Sequence, residues 1–213
     1  MIERSICVTT HGRYIVDEPG DDPPVGLLVG FHGYAEPAEA QLDRLRSVPA
    51  GGWLRASVQG LHRFYRGRSR DVVASWMTRQ DRELAIADNA AYVAAVVDEI
   101  AQEWAVARVV YAGFSQGVAM AFRAAAQTSR RADVVALGGD VPPELDAHAL
   151  AGIPAALVGR GHADEFYGAD AMAADVERLR AARVGVEAVT IDGGHEWTAQ
   201  FSGIVARYLG AST

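Results

Sequence analysis

The sequence predicts an α/β protein with a mostly parallel sheet, and three observations carry that expectation. Segments rich in β-branched residues alternate with longer segments of helical period. Residues 25–31 form a continuous apolar run with the length of a strand buried on both faces. The 213 residues are 50 % hydrophobic and 22 % charged, too apolar for a disordered chain and enough for a single domain over residues 1–213 with a sizeable core.

Taken in order, residues 6–10 and 13–16 flank His11-Gly12 and are expected to open the fold as an antiparallel hairpin. The polar turn Gly20-Asp21-Asp22-Pro23-Pro24 leads into the run at 25–31, followed by a helix over 38–46 and a strand over 54–59. Residues 60–80 lack a clear period and read as the longest irregular connection; long ordered loops are more often functional than short ones. A long helix is expected over 81–104, with Leu84, Ala87, Ala91, Ala94, Val97, Ile100 and Trp104 marking its buried face. Thr78, three residues before Asp81, would cap its start. A strand at 108–112 runs into Gly113-Phe114-Ser115-Gln116-Gly117, and a helix of small residues continues to Gln127. Strands are expected at 134–137, 155–158 and 186–191, and helices at 170–183 and 198–209, the first closed by Gly185.

Composition excludes several classes. The one cysteine, Cys7, allows no internal disulfide and no thiolate zinc cluster, and reads as a small buried apolar residue of the opening hairpin. No apolar run reaches the roughly 18 residues of a membrane span, so no stable membrane insertion is expected. The opening Met1-Ile2-Glu3-Arg4-Ser5 does not resemble a secretory leader, which leads to the expectation of a cytoplasmic protein. A net charge of −7 argues against nucleic acid as the main partner. The basic residues are all arginine, which says little about function, and nothing decides between monomer and homodimer.

The sharpest motif is Gly113-Phe114-Ser115-Gln116-Gly117, a G-x-S-x-G between an expected strand and an expected helix. A serine hydroxyl attacks only when a base takes its proton and when it stands clear of the backbone. A tight strand-to-helix turn presents it, at the cost of strain and of close approach by the residues two positions either side, here both glycine. The amides that open the following helix then face developing negative charge. Of six histidines, His11, His62 and His148 lie in turns or connections, and His32 directly follows a buried strand. His195, in Asp192-Gly193-Gly194-His195-Glu196-Trp197, follows the last strand at the carboxyl edge where Ser115 stands and is the expected base, with His162 as the alternative. Asp164, in the loop after the strand at 155–158, is the expected acid; Glu165, Asp140 and Asp192 are its rivals. Backbone N–H groups of Gln116 and Tyr34 are the expected oxyanion donors, Gly33 permitting the turn between them and the strand; alternatively His32-Gly33 simply ends that strand.

Phe31-His32-Gly33, the Ser115 pentapeptide, the Asp164 loop and Gly193-Gly194-His195-Glu196-Trp197, in this order, resemble the α/β-hydrolase superfamily. More narrowly the chain is similar to its small phospholipase/carboxylesterase branch, which includes carboxylesterases, lysophospholipases and acyl-protein thioesterases. The resemblance covers nearly the whole chain and implies a triad of Ser115, Asp164 and His195, with Tyr34 and Gln116 at the oxyanion positions. It implies hydrolysis of carboxylic esters or thioesters through an acyl-enzyme, without cofactor. The segment at 159–165 matches the branch's acid loop only loosely. A non-catalytic binding protein of the same fold is the reading from a different class.

About a dozen residues separate the strand ending near Gly139 from the one starting at Ile153, too few for a cap domain, so loops must form the pocket walls. Phe64, Tyr65, Trp76, Met77, Phe166 and Trp197, with Gly33, are candidate substrate contacts; the alternative is that most are core. Arg63, Arg66, Arg68 and Arg70 would either receive an anionic substrate group or form a solvated loop. His162, Asp164, His195 and Glu196 have metal-ligating chemistry but no ligand spacing, and no metal is expected.

Overall fold

The computed structural model describes residues 1–18, 20, 22–106, 108–128 and 130–211. Its strands are β1 (Arg13–Asp17), β2 (Gly26–Phe31), β3 (Trp53–Gln59), β4 (His62–Tyr65), β5 (Val72–Ser75), β6 (Val109–Phe114), β7 (Ala132–Leu137), β8 (Ala155–Gly161) and β9 (Gly185–Ile191). The helices are α1 (Ala38–Arg46), α2 (Arg82–Glu103), α3 (Gln116–Gln127), α4 (Ala147–Leu150), α5 (Ala169–Ala181) and α6 (Ala199–Ala211). Seven strands make one sheet in the order β1-β3-β2-β6-β7-β8-β9, parallel throughout except for β1 on β3.

Strand alternation divides the core into two layers. Leu27, Val29 and Phe31 of β2 and Val109 and Tyr111 of β6 pack on one face with residues of α2, α3 and α5. Leu28 of β2 and Val110, Ala112 and Phe114 of β6 pack on the other with Leu45 of α1 and Phe201, Val205 and Leu209 of α6. With helices on both faces, the central strands are buried along their whole length, as the unbroken apolar run of β2 requires. The connection from β7 to β8 carries only the one-turn helix α4, so no cap covers the carboxyl edge of the sheet.

Several expectations are corrected. Residues 6–10 form no strand, because β1 pairs with β3 instead and β propensity without a partner strand is not enough. Cys7 there is exposed rather than buried. Residues 60–80 are not irregular: β4 and β5 form an antiparallel hairpin joined to the turn after β2 by a bridge between Glu36 and Ala74. Helix α2 is rotated from its expected phase, burying Ala85, Asn89, Ala90, Val93, Val96, Val97, Ile100 and Ala101. Leu84, Ala87, Ala91 and Ala94 face solvent. Alanine on every side of this helix makes hydrophobic counting a poor guide to its phase. Thr78 does not cap α2; its Oγ1 donates to the Gln80 carbonyl, and the N-cap is Asp81 in a left-handed conformation. Helix α5 ends at Ala181 with Arg183 at φ 66°, whereas Gly185 begins β9. Among the described residues no helix is long and apolar enough to cross a membrane.

Buried Asn89 sets the phase of α2. Its Nδ2 donates to the carbonyls of Trp76 (3.0 Å) and Ala85 (2.8 Å), and its Oδ1 accepts from Leu61 N–H (3.1 Å). Asn89→Ala leaves buried backbone groups unpaired at about 1–3 kcal/mol each. Urea unfolding is expected to show a lower midpoint with an unchanged slope.

Candidate active site

Ser115 lies at the junction of β6 and α3 with φ 53° and ψ −122°, a conformation an L-residue adopts only under constraint. The constraint is close packing. A Cβ at Gly113 would sit 2.4 Å from the Gly117 carbonyl oxygen, and one at Gly117 would sit 2.0 Å from that of Phe31. The expected requirement for glycine at both positions therefore holds, the second because the turn presses on β2. Ser115 N–H donates to the Leu137 carbonyl (2.9 Å), tying the turn to β7.

The Ser115 hydroxyl donates to His195 Nε2 at 2.8 Å. His195 Nδ1–H donates to Asp164 at 2.9 Å (Oδ2) and 3.1 Å (Oδ1). Three loops that follow β6, β8 and β9 thus converge at one sheet edge. Asp164 is buried, and its Oδ1 also accepts from the N–H groups of Phe166 (2.9 Å) and Tyr167 (3.0 Å). Burial pushes this carboxyl up, but the Tyr167 amide, His195 and the Phe166 amide outweigh it, and the net direction is down. The imidazole ring lies 5.0 Å from the Phe114 ring and 4.9 Å from that of Phe166. The rivals are not joined to the pair: the side chains of His162, Glu165, Asp140 and Asp192 are exposed and, among the described residues, form no hydrogen bond with Ser115 or His195.

Gly138 is a site residue that the sequence did not reveal. It holds φ +69°, and a Cβ there would stand 3.0 Å from His195 Cε1 and 3.2 Å from Asp164 Oδ2. Its signal was the Gly138-Gly139 pair directly after a strand.

The turn after β2 is built from buried polar groups. Gly60 N–H donates to His32 Nε2 (3.0 Å), so the proton is on Nδ1, which donates to the Gly33 carbonyl (2.7 Å). Burial lowers the His32 pKa and favours this neutral form. Gly33 N–H donates to Glu36 (2.8 Å), and Ala35 N–H donates to the Ala74 carbonyl (3.0 Å). Tyr34 N–H has no acceptor among the described residues. Arg44 grips both Glu36 oxygens at 2.6 Å and lies 4.2 Å over the Phe114 ring. Burial pushes the Glu36 carboxyl up, but Arg44 and the Gly33 amide more than reverse it, leaving it lowered. On the other side, Gln116 opens α3, so its N–H has no helical acceptor. Its side-chain Oε1 accepts from Trp76 N–H (3.1 Å).

Two hollows meet beside Ser115. One, of about 570 Å³, is lined by Tyr34, Phe64, Met77, Arg79 and Arg82 among others. The second, of about 300 Å³, contains Ser115 itself with Pro142, Pro143, Phe166 and Arg123. Met77, Arg82 and Gln116 belong to both. Of the candidate substrate contacts, Phe64, Met77 and Phe166 line these hollows. Trp76 does not: it is 1 % exposed, and its Nε1 donates to the His32 carbonyl (2.9 Å). Trp197 packs edge-on against Phe201 and donates to Ser202 Oγ, a scaffold position on α6. Gly33 serves the turn, and Tyr65 alternates outward from Phe64 and is exposed. Arg63 and Arg66 donate to the carbonyls of His11 and Ala35, and Arg68 and Arg70 are exposed; none of the four lines either hollow. Among the described residues no group of three or more His, Cys, Asp or Glu could hold a metal ion.

No protein-family model matches the chain, and no curated protein matches it by sequence. Solved structures do. A carboxylesterase from Mesorhizobium loti superposes with a TM-score of 0.76 at 20 % identity over 93 % of this chain and 94 % of that one. The Bacillus cereus carboxylesterase gives 0.74 at 16 % identity over 95 % of each chain. Acyl-protein thioesterase 2 from Zea mays gives 0.72 at 19 % identity over 94 % of this chain and 99 % of that one. The chain has the α/β-hydrolase fold expected from its sequence.

Asp164 and Glu36 both have lowered pKa values, so unfolding takes up protons at acid pH. Their contribution to stability is complete above the ordinary carboxyl range, roughly pH 4–5, and is lost as pH falls through the lowered folded values. Glu36→Gln is expected to flatten the fall in stability between about pH 5 and pH 3, measured as urea midpoints at stepped pH. A slope identical to that of the wild type would contradict this.

Proposed function

We propose that the protein is a serine hydrolase of carboxylic esters or thioesters that works through an acyl-enzyme. The observation that carries this reading is the unbroken hydrogen-bond chain Ser115–His195–Asp164 ending on a serine held in a strained turn. In the proposed mechanism Ser115 Oγ attacks the carbonyl carbon while His195 Nε2 takes its proton. Asp164, acceptor for Nδ1–H, keeps the ring in the required tautomer and stabilises the imidazolium. Negative charge on the carbonyl oxygen is received by the N–H groups of Gln116 and Tyr34, which form no other hydrogen bond of their turns. Collapse breaks the bond to the leaving alkoxide or thiolate, which takes the proton from His195. Water, deprotonated by His195, then attacks the acyl carbon; the bond to Ser115 Oγ breaks, and His195 returns the proton to Oγ as the acid leaves.

An uncapped cleft fits substrates of varied leaving group, and carboxylesterases and an acyl-protein thioesterase share the fold at low identity. The proposal includes a single catalytic domain acting in the cytoplasm without cofactor. Lysophospholipase or acyl-protein thioesterase activity would use the same groups, and matched oxygen-ester and thioester substrates separate them.

Ser115→Ala is expected to keep its fold, by circular dichroism and melting temperature, while losing nearly all turnover of p-nitrophenyl acyl esters. Asp164→Asn should lower kcat by about 10⁴-fold, because the ring then adopts the wrong tautomer. Retained turnover in Ser115→Ala would defeat the proposal; a comparable loss in Asp140→Asn instead of Asp164→Asn would reassign the acid.

A further inference from the structure

Arg79 and Arg82 have no part in the acyl-transfer scheme, yet both line the hollow walled by Tyr34, Phe64 and Met77, which no carboxylate lines. Among the described residues Arg79 makes no ion pair. Arg82 has a single contact, 3.3 Å from its Nη2 to Glu144 Oε2. The other oxygen of Glu144 already takes two bonds from buried Arg123, one of 2.8 Å from Nε and one of 2.5 Å from Nη2. One carboxylate therefore serves two guanidinium groups. Asp81, the neighbour of Arg82, is turned toward Ser5, and Asp140 lies in the other hollow.

The result is an excess of positive charge along the wall of a cleft in a protein whose net charge is −7. A guanidinium matches carboxylate and phosphate oxygens bidentately. Arg82 lines both hollows, so one molecule can place a group on it and a carbonyl at Ser115.

On the hydrolase reading given above, we propose that the substrate is an anionic ester. Its carboxylate or phosphate is received by Arg82 and Arg79, its apolar part lies against Phe64 and Met77, and its scissile carbonyl sits at Ser115. The charge is placed by Arg82 at the start of α2 and Arg79 in the turn before it, not by the arginines of the β4–β5 hairpin.

The test compares kcat/KM for charged and neutral esters. p-Nitrophenyl butyrate is paired with mono-p-nitrophenyl glutarate for a carboxylate on the acyl side. Phenyl butyrate is paired with 4-butyryloxybenzoate and 4-butyryloxyphenyl phosphate for a carboxylate or phosphate on the leaving side. In at least one pair the wild type is expected to favour the charged ester by about tenfold or more, the scale of a charge-assisted hydrogen bond. That ratio should fall at least about tenfold in Arg82→Gln and fall less in Arg79→Gln and in Arg82→Lys, which keeps the charge but loses the bidentate fork. Being internal to each preparation, the ratio is unaffected by loss of folded protein. Salt at about 0.5 M should shrink it in the wild type and leave the Arg79→Gln/Arg82→Gln double variant unchanged. Equal or poorer use of every charged ester, or a ratio unchanged in the Arg79→Gln/Arg82→Gln double variant, would overturn the proposal. Failure to turn over any ester, with no fluorophosphonate labelling, overturns the hydrolase reading instead. The anion site is then read by calorimetry with glutarate: binding that the double variant loses supports it, and absence of binding to the wild type ends it.

Discussion

The conformation of one residue organises this molecule. Ser115, with φ 53° and ψ −122°, occupies a region of backbone space that costs about 1–3 kcal/mol and persists only where its surroundings leave no alternative. Those surroundings are backbone on three sides. Gly117 presses on the end of β2, Gly113 on the start of α3, and a Cβ at Gly139, after β7, would stand 2.3 Å from the Ser115 carbonyl oxygen. Parallel strands with both faces covered supply the rigidity that such contacts need. The strained turn and the doubly covered sheet are thus parts of one requirement, and the hydroxyl is presented at the uncapped edge as a consequence.

Buried polar groups fix the loops around that hydroxyl. His32 is a structural histidine, spent on Gly60 and Gly33, and neutral because burial lowers its pKa. Trp76 and Asn89 link the β4–β5 hairpin to β2 and α2 through bonds to the His32 and Trp76 carbonyls. Glu36 and Arg44 hold the turn after β2 by a paired charge with each side chain about four-fifths removed from solvent. None of these groups touches the hollows where substrate is proposed to bind. Their effect is geometric: they leave Tyr34 N–H unused beside the elbow and hold the wall that carries Phe64 and Met77. Buried polar networks of this kind stabilise only when every member is satisfied.

The chain order of strands and helices was legible because β-branched runs and helical periods alternate cleanly; α1 and α3 end where the pattern ends. The convergence of Ser115, Asp164 and His195 followed from topology, since loops after parallel strands share one edge. What escaped depended on partners distant in the sequence. The hairpin within residues 60–80 has four-residue strands of mixed polarity, and its arginine-rich turn masks the alternation. The phase of α2 is decided by Asn89, a polar residue whose burial only its bonds to Leu61 and Trp76 explain. Trp76 and Trp197 looked like pocket walls because aromatic character does not tell a core from a cleft. Gly138 owes its role to His195, 57 positions further along the chain, and to Asp164.

The most direct test of the proposed chemistry is to trap the covalent intermediate. The enzyme is mixed with a slowly deacylated p-nitrophenyl ester, quenched in acid within the first turnover and mapped by peptide mass spectrometry. One acyl group per chain, on the peptide that contains Ser115 and at its side chain, is the expected result. Turnover with no acyl group on Ser115, or with the adduct on another residue, would contradict the mechanism.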